Sequence, residues 1–287
     1  MSMIVFAGDL HLAEKNPISR LDDYPTTMLH KLETILNIPA YAYFFAGDFF
    51  HTPNISKEYL VRVIETLKKH EDKDIYTIIG NHDVPFGKSD NISNSPLGIL
   101  FATGLVKRLT TEVIDGWVIM GCDYDQVAPT PNPDDKSILV AHKFYMEYDE
   151  KEMITDDEAD DFNYVFLGHD HTRHDKERNI YRVGSVSRMT GSKENTERDS
   201  FSVLRFDTKT EEFEPKEFPL SESVFNKVYL DIRREMKKES TTNMNKIFES
   251  VANESLEHVL ELPNFKDFSE ELKLKFLELY YGLETSK

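Results

Sequence analysis

At 287 residues the chain is long enough for one large domain, or a large one with a small appendage, and its 39% hydrophobic share supplies a core. A formal charge of −18 argues against broad, non-specific nucleic-acid binding by this chain alone and favours a partner chain that supplies a basic surface; it leaves room for a small, metal-driven phosphate site. The single cysteine, Cys122, excludes an internal disulfide and reads as a small buried residue in a reducing compartment.

Taken in order, residues 3–7 form a β-prone apolar run closed by Gly8-Asp9. Pro25 suits the first turn of a helix, with Asp22 and Asp23 at its favourable end. Met28, Leu32 and Ile35, with Leu29 and Leu36, then recur at helical spacing. Residues 41–46 form a second buried strand that delivers Gly47-Asp48. Ser56 is a helix N-cap, and Leu60, Val63, Ile64 and Leu67 give the following helix one apolar face. Residues 75–79 form a third strand and deliver Gly80-Asn81-His82-Asp83. This alternation implies a parallel sheet with right-handed crossovers.

A polar loop over residues 86–96 precedes a short apolar helix, 97–103. Asp115-Gly116 then marks a type I′ hairpin between residues 112–114 and 117–121. Residues 124–136, with three prolines, read as a loop. Strands over 137–141 and 164–167 end at His142 and at Gly168-His169-Asp170-His171, with an acidic loop and a short helix over residues 145–161 between them. Residues 180–183 and 200–206 look like a further strand pair. In the tail, residues 224–232 alternate like one more strand, and 246–262 and 268–283 carry apolar stripes at helical spacing. The expected class is α/β, an αββα two-sheet sandwich, with residues 1–220 as the main domain and 221–287 as a small cap and helical tail. The longest apolar runs, such as 38–46, are too short to cross a membrane, and the N-terminus enters a strand without a basic leader, so the expected location is the cytoplasm.

Five short stretches carry the chemistry: Asp9-Leu10-His11, Asp48-Phe49-Phe50-His51, Asn81-His82-Asp83, His142, and His169-Asp170-His171. Four directly follow a strand-like run, which is where open α/β sheets place their sites. Two ions about 3.5–4 Å apart need a bridging ligand, and a carboxylate can bridge; Asp48 is the natural choice. Asp9 and His11 stand two apart and share a pocket only if the strand end turns, a turn that Gly8 eases. Asn81 offers a neutral carbonyl oxygen, and His142, His169 and His171 offer imidazoles. Mixed oxygen and nitrogen donors suit manganese, iron or zinc, and the absence of thiolates counts against a structural zinc site. Asp170 is expected to point away from the ions. His82, next to a ligand, is a candidate general acid for the leaving oxygen, with Asp83 holding its ring; His51 is placed to bond the phosphate.

These motifs resemble the calcineurin-like metallophosphoesterases, and more specifically the nuclease subunit of the SbcD type, including short phage versions. The second motif is Gly47-Asp48-Phe49-Phe50-His51, the fifth is Gly168-His169-Asp170-His171, and Val183-Gly184-Ser185-Val186 resembles the group's Pro-Gly-Ser stretch, with Val183 in place of proline. The resemblance implies one ion on Asp9, His11, Asp48 and His171 and a second on Asp48, Asn81, His142 and His169, with manganese preferred. It implies His82 in catalysis, oriented by Asp83, and His51 on the phosphate. It also implies cleavage of DNA in recombination and repair, beside an SbcC-like coiled-coil ATPase, and a homodimer through residues 57–70 and 97–103. Two other readings stay open: a phosphoesterase acting on a small phosphodiester or a phosphoprotein, which the acidic surface favours, and a regulatory subunit that binds through the tail.

Overall fold

A computed structural model describes residues 2–17, 19–145, 153–172, 174–189, 196–220 and 224–225, with 174–177 described by their backbone alone. All of them fall within the first of two units into which the chain divides, Met1–Asn226. The expected tail elements lie outside the described residues, apart from Val224 and Phe225.

The elements run β1 (Met3–Ala7), α1 (Tyr24–Leu36), β2 (Ala42–Phe45), α2 (Lys57–Lys68), β3 (Asp74–Thr77), α3 (Pro96–Thr103), β4 (Lys107–Arg108), β5 (Thr111–Ile114), β6 (Trp117–Cys122), β7 (Lys136–His142), β8 (Phe144–Tyr145), β9 (Met153–Ile154), α4 (Asp156–Asp160), β10 (Tyr164–Gly168), β11 (His174–Glu177), β12 (Ile180–Arg182), β13 (Ser200–Asp207) and β14 (Glu212–Pro219). They build two six-stranded mixed sheets, ordered β14-β13-β1-β2-β3-β4 and β11-β12-β10-β7-β6-β5. β1 to β4 are parallel, as the alternation of strand and helix requires, and β13 closes onto β1 antiparallel.

The period-two pattern of the strands sorts their side chains into three layers. Ile4, Phe6, Phe44, Ile138, Val140 and Phe166 face inward and fill the space between the sheets. There the Phe6 and Phe166 rings stack with centroids 3.9 Å apart. Val5, Tyr43, Phe45 and Ile75 face the other way, onto Met28, Leu32, Val63, Leu67 and Leu97 of the first three helices. Leu139, Val165 and Leu167 back the second sheet onto Ala159 and Phe162 at α4. This is the αββα sandwich. Each large apolar side chain so buried contributes roughly 1.5–3 kcal/mol, so the register of every strand is strongly specified.

Local signals act as the sequence implies. The Asp23 side chain accepts from Thr26 N at 3.3 Å, capping α1 with Pro25 in its first turn, and Ser56 accepts from Tyr59 N at 3.1 Å to cap α2. Asp115 and Gly116 both take positive φ, 50° and 85°, closing the β5–β6 hairpin as a type I′ turn does. One expectation fails, and two segments gain detail. Residues 180–183 and 200–206 do not pair with each other: β12 runs parallel to β10 in the second sheet, while β13 joins β1 in the first. The Glu-rich segment 212–219 is a strand, β14, whose Phe213 packs on the core between the sheets and whose Phe218 packs on the helix-side core, while its charges guard a sheet edge. The loop over 86–96 contains two short 3-10 turns, Pro85–Gly87 and Ser89–Asn94. Among the described residues, no helix is long and apolar enough to cross a membrane.

Candidate metal centre

The five motifs meet at one end of both sheets. The ends of β1 and β2 deliver Asp9, His11 and Asp48, the loop after β3 delivers Asn81 and His82, and the ends of β7 and β10 deliver His142, His169 and His171. Backbone bonds carry the alignment past the strand ends: His11 N donates to Asp48 O, Leu12 N to Phe49 O and His51 N to Leu12 O, each at 2.9 Å. The first two motifs are therefore held side by side. Three of the candidate ligands take left-handed backbone, His11 at φ 50°, Asp48 at 44° and His169 at 79°. Such residues are uncommon and concentrate where a site fixes side-chain direction against local preference.

This alters the reading of Gly8. The turn that brings His11 to Asp9 is made by His11 itself. Gly8 is needed for close approach, because a Cβ there would lie 2.1 Å from the carbonyl oxygen of Gly184. Gly80 is required in the same way, since its Cβ would lie 2.1 Å from Asp48 Oδ1.

The donor atoms form two groups, each spanning less than 4.8 Å. One holds Asp9, His11, Asp48 and His171, and the other Asp48, His142 and His169. Asp48 belongs to both, as a bridging carboxylate must. Its Oδ2 lies 3.6 Å from His11 Nε2 and 3.3 Å from His142 Nε2, and its Oδ1 accepts from His82 N at 2.9 Å. His142 Nδ1 donates to Ala46 O at 2.8 Å, which leaves Nε2 to meet Asp48 and, at 3.2 Å, Asn81 Oδ1. His11 and His171 turn their Nε2 atoms to within 2.8 Å of each other.

These residues fit divalent cations. Asp9 is fully buried; Oδ1 accepts from His169 N at 3.0 Å, but Oδ2 has no hydrogen-bond partner, and His11 Nδ1 has none either. Orphaned buried polar atoms are rare and call for a ligand. Without a cation the electrostatics are divided. Burial pushes the Asp9 carboxyl up. Burial would also raise Asp48, but His142, His11 and His82 hold it below the ordinary carboxylate range. Burial drives His169 down to about 3, and His142, against its burial, is carried up to about 9 by Asp48 and Asp9. A divalent cation between them would serve both carboxylates at once.

His82 and His51 face the same opening. Their rings stack with centroids 5.1 Å apart, and both approach His11. The expected partnership of His82 with Asp83 does not form. Asp83 is fully buried and accepts from Phe50 N at 2.8 Å and Gly80 N at 2.9 Å, so it fastens the second and third motifs together. The His82 ring is held by the carbonyl of His51, with Nδ1 at 2.9 Å. A carbonyl only accepts, so Nδ1 carries hydrogen and Nε2 is the atom left for the substrate. Asp83 is thus a positioning residue, not the orienter of His82; burial and Asp48 push its carboxyl up. Asp170 turns toward Arg182, 3.6 Å away, as expected of a residue outside the ligand set.

Other contributions were invisible in the motifs. Asp123 accepts from Ile79 N at 2.7 Å and pairs with Arg108, steadying the approach to Asn81. Tyr124 and Phe144 pack on the His169 ring at 5.3 and 4.1 Å. Ser185 ties the first motif to the fifth: its Oγ donates to Asp9 O at 3.0 Å and its N to His171 O at 3.2 Å. Three cations grip the segment around Ser185. Lys31 Nζ donates to Val186 O and Arg20 Nη1 to Arg188 O, both at 2.7 Å, while Arg198 donates to Ser185 O and Ser187 O at 2.6 and 2.5 Å, and Arg188 in turn donates to Arg198 O at 2.9 Å. The nearest signal in the sequence is the Gly184-Ser185 pair.

Residues 2–173 match the family of calcineurin-like phosphoesterases. A solved structure described as a novel archaeal phosphodiesterase is similar at 15% identity over 75% of this chain and 99% of that one, with a TM-score of 0.40. A comparison with curated proteins finds no match.

Proposed function

The chain belongs to the calcineurin-like phosphoesterase family, and from that premise we propose that it is a metal-dependent phosphodiester hydrolase acting on DNA, the nuclease subunit of a complex with an SbcC-like coiled-coil ATPase. The observation that carries the reading is the convergence of His51, His82 and His11, whose ring nitrogens lie within 4.8 Å of one another beside the two ligand groups. A plain metal site has no use for the first two, whereas a phosphodiester needs both a contact to its non-bridging oxygen and a proton for its leaving group.

Divalent ions held by Asp9, His11, Asp48 and His171, and by Asp48, Asn81, His142 and His169, would supply Lewis-acid polarisation and an activated water; manganese suits the mixed donors. His51 faces the phosphate. As water adds to phosphorus and the bond to the sugar oxygen breaks, His82 Nε2 delivers the proton that the leaving oxygen takes up. Asp83 keeps the second and third motifs in register while this occurs. Dimerisation through residues 57–70 and 97–103 and a cytoplasmic location belong to the same proposal. Val61 and Ile99, half exposed on α2 and α3, support the dimer surface.

The competing reading, a small phosphodiester or phosphoprotein as substrate, draws on the −18 charge. One assay separates them. Labelled DNA and an aryl phosphodiester are offered with Mn²⁺, with and without the ATPase, to wild type, His82→Ala and Asn81→Ala. DNA cleavage that falls by a factor on the order of 10² to 10⁴ in His82→Ala with metal retained, and metal loss in Asn81→Ala, is the expected result. Cleavage of the aryl ester alone by folded wild type overturns the DNA reading.

A further inference from the structure

Phe86 stands apart from every other aromatic residue near the centre. It is 93% exposed and its backbone is left-handed, φ 61° and ψ 21°. Neither property is expected of a large apolar side chain, and a surface loop free to choose would avoid both. The loop is not free. Val84 is buried, Pro85 O accepts from Asn91 Nδ2 at 3.0 Å, Gly87 N donates to Val84 O at 3.3 Å, and Ser89 N donates to Asp125 Oδ2 at 3.0 Å. Both flanks of Phe86 are pinned, and the side chain between them is left in solvent. The loop also abuts the site: a Cβ on Gly87 would stand 3.8 Å from Asn81 Cβ and 3.7 Å from the Tyr124 ring. Phe86 itself follows His82 by four residues. Lys88, exposed two residues further on, carries a cation on the same loop.

We infer that Phe86 is a stacking platform for the nucleobase next to the scissile phosphate, with Lys88 meeting the adjoining backbone phosphate. This rests on the DNA reading above and adds how the strand is gripped by a chain whose surface is acidic. An exposed aromatic face beside a cation is the combination that binds single-stranded nucleic acid without reading its sequence, because every base presents a π-face. A ring carried on a pinned backbone has less freedom to lose on stacking than one on a mobile loop, which accounts for a loop that presents Phe86 outward.

The test compares a single-stranded oligonucleotide with its counterpart that is abasic beside the scissile phosphate. Wild type should prefer the intact strand by roughly tenfold or more in kcat/KM, chiefly through KM. In Phe86→Ala that preference should fall to near unity, and Phe86→Tyr should restore it. Phe86→Trp gives a readout without turnover: Trp117 is fully buried, so oligo(dT) should quench the emission of the newly introduced indole and leave that of Trp117 unchanged. Phe86→Gly, which fits the backbone without strain, should lose the preference while holding or raising the melting temperature. If wild type cleaves DNA and Phe86→Ala keeps the preference for the intact strand, the stacking role is overturned and the DNA reading stands. If Phe86→Gly melts well below wild type, Phe86 serves the loop and not the substrate. If folded wild type neither binds nor cleaves DNA, both readings fall.

Discussion

Two buried, charged regions sit against the same Asp9 loop and differ in the atoms they offer. At the metal centre, carboxylates and imidazoles are crowded together with atoms left over, Asp9 Oδ2 and His11 Nδ1 among them. Around residues 185–188, Arg20, Lys31 and Arg198 are spent on backbone carbonyls, and Arg20 has Asp22 beside it at 2.7 Å. The first arrangement is incomplete without ions. The second offers hydrogen-bond donors instead, most of them turned onto carbonyls although Arg198 Nε meets no partner, and it holds the segment through which Ser185 bonds Asp9 and His171. Clustered acceptors and imidazoles mark where a cation goes, and buried donors spent on backbone carbonyls mark what keeps that place in shape.

Substitutions should separate the two regions. The largest effect is expected from Asp48→Asn, which removes the oxygen shared by both ligand groups. Activity should fall by at least about a thousandfold, and metal titration should show the ions lost while the chain stays folded. Arg20→Met should do the reverse. It breaks a buried pair and strands the Arg188 carbonyl, a loss of about 3 kcal/mol in chemical denaturation, whereas the molecules that remain folded should keep their metal. Thiol labelling counts those molecules: burial pushes Cys122 up to about 12, so alkylation at pH 8 requires unfolding. Ser185→Ala lies between the regions and should move both a little, by about 1 kcal/mol in stability and a severalfold loss of kcat. A purely structural or purely catalytic effect there would break the proposed link.

Much of the arrangement was legible because its chemistry restricts residue type at strand ends: Asp9, His11, Asp48, Asn81, His142, His169 and His171, named from their motifs, are brought together by the fold. The role of Asp83 was misread because adjacency to His82 suggested a partnership. In a turn, neighbouring side chains diverge, and the group that orients His82 is a backbone carbonyl with no signature in the sequence. Arg20, Lys31 and Arg198 escaped notice for a related reason: a charged residue read alone looks solvated, and only the fold supplies the carbonyls that make its burial tolerable. In the fold, the parallel run from β1 to β3 followed from local alternation. The partners of β12 and β13 did not, because strand choice between two sheets is decided by contacts distant in sequence.

The pairing of β13 with β1 has a consequence for how the site comes into being. Every candidate ligand has been synthesised once residue 171 is made, yet β1, which aims Asp9 and His11, still lacks its neighbour on one side until residues 200–207 arrive. Only then are Phe206 and Val203 available to the cores on the two faces of that sheet. A nascent chain therefore carries the full set of donors for some time before it has a frame to aim them, and competence to hold metal arrives late, with the return of a strand that contributes no ligand.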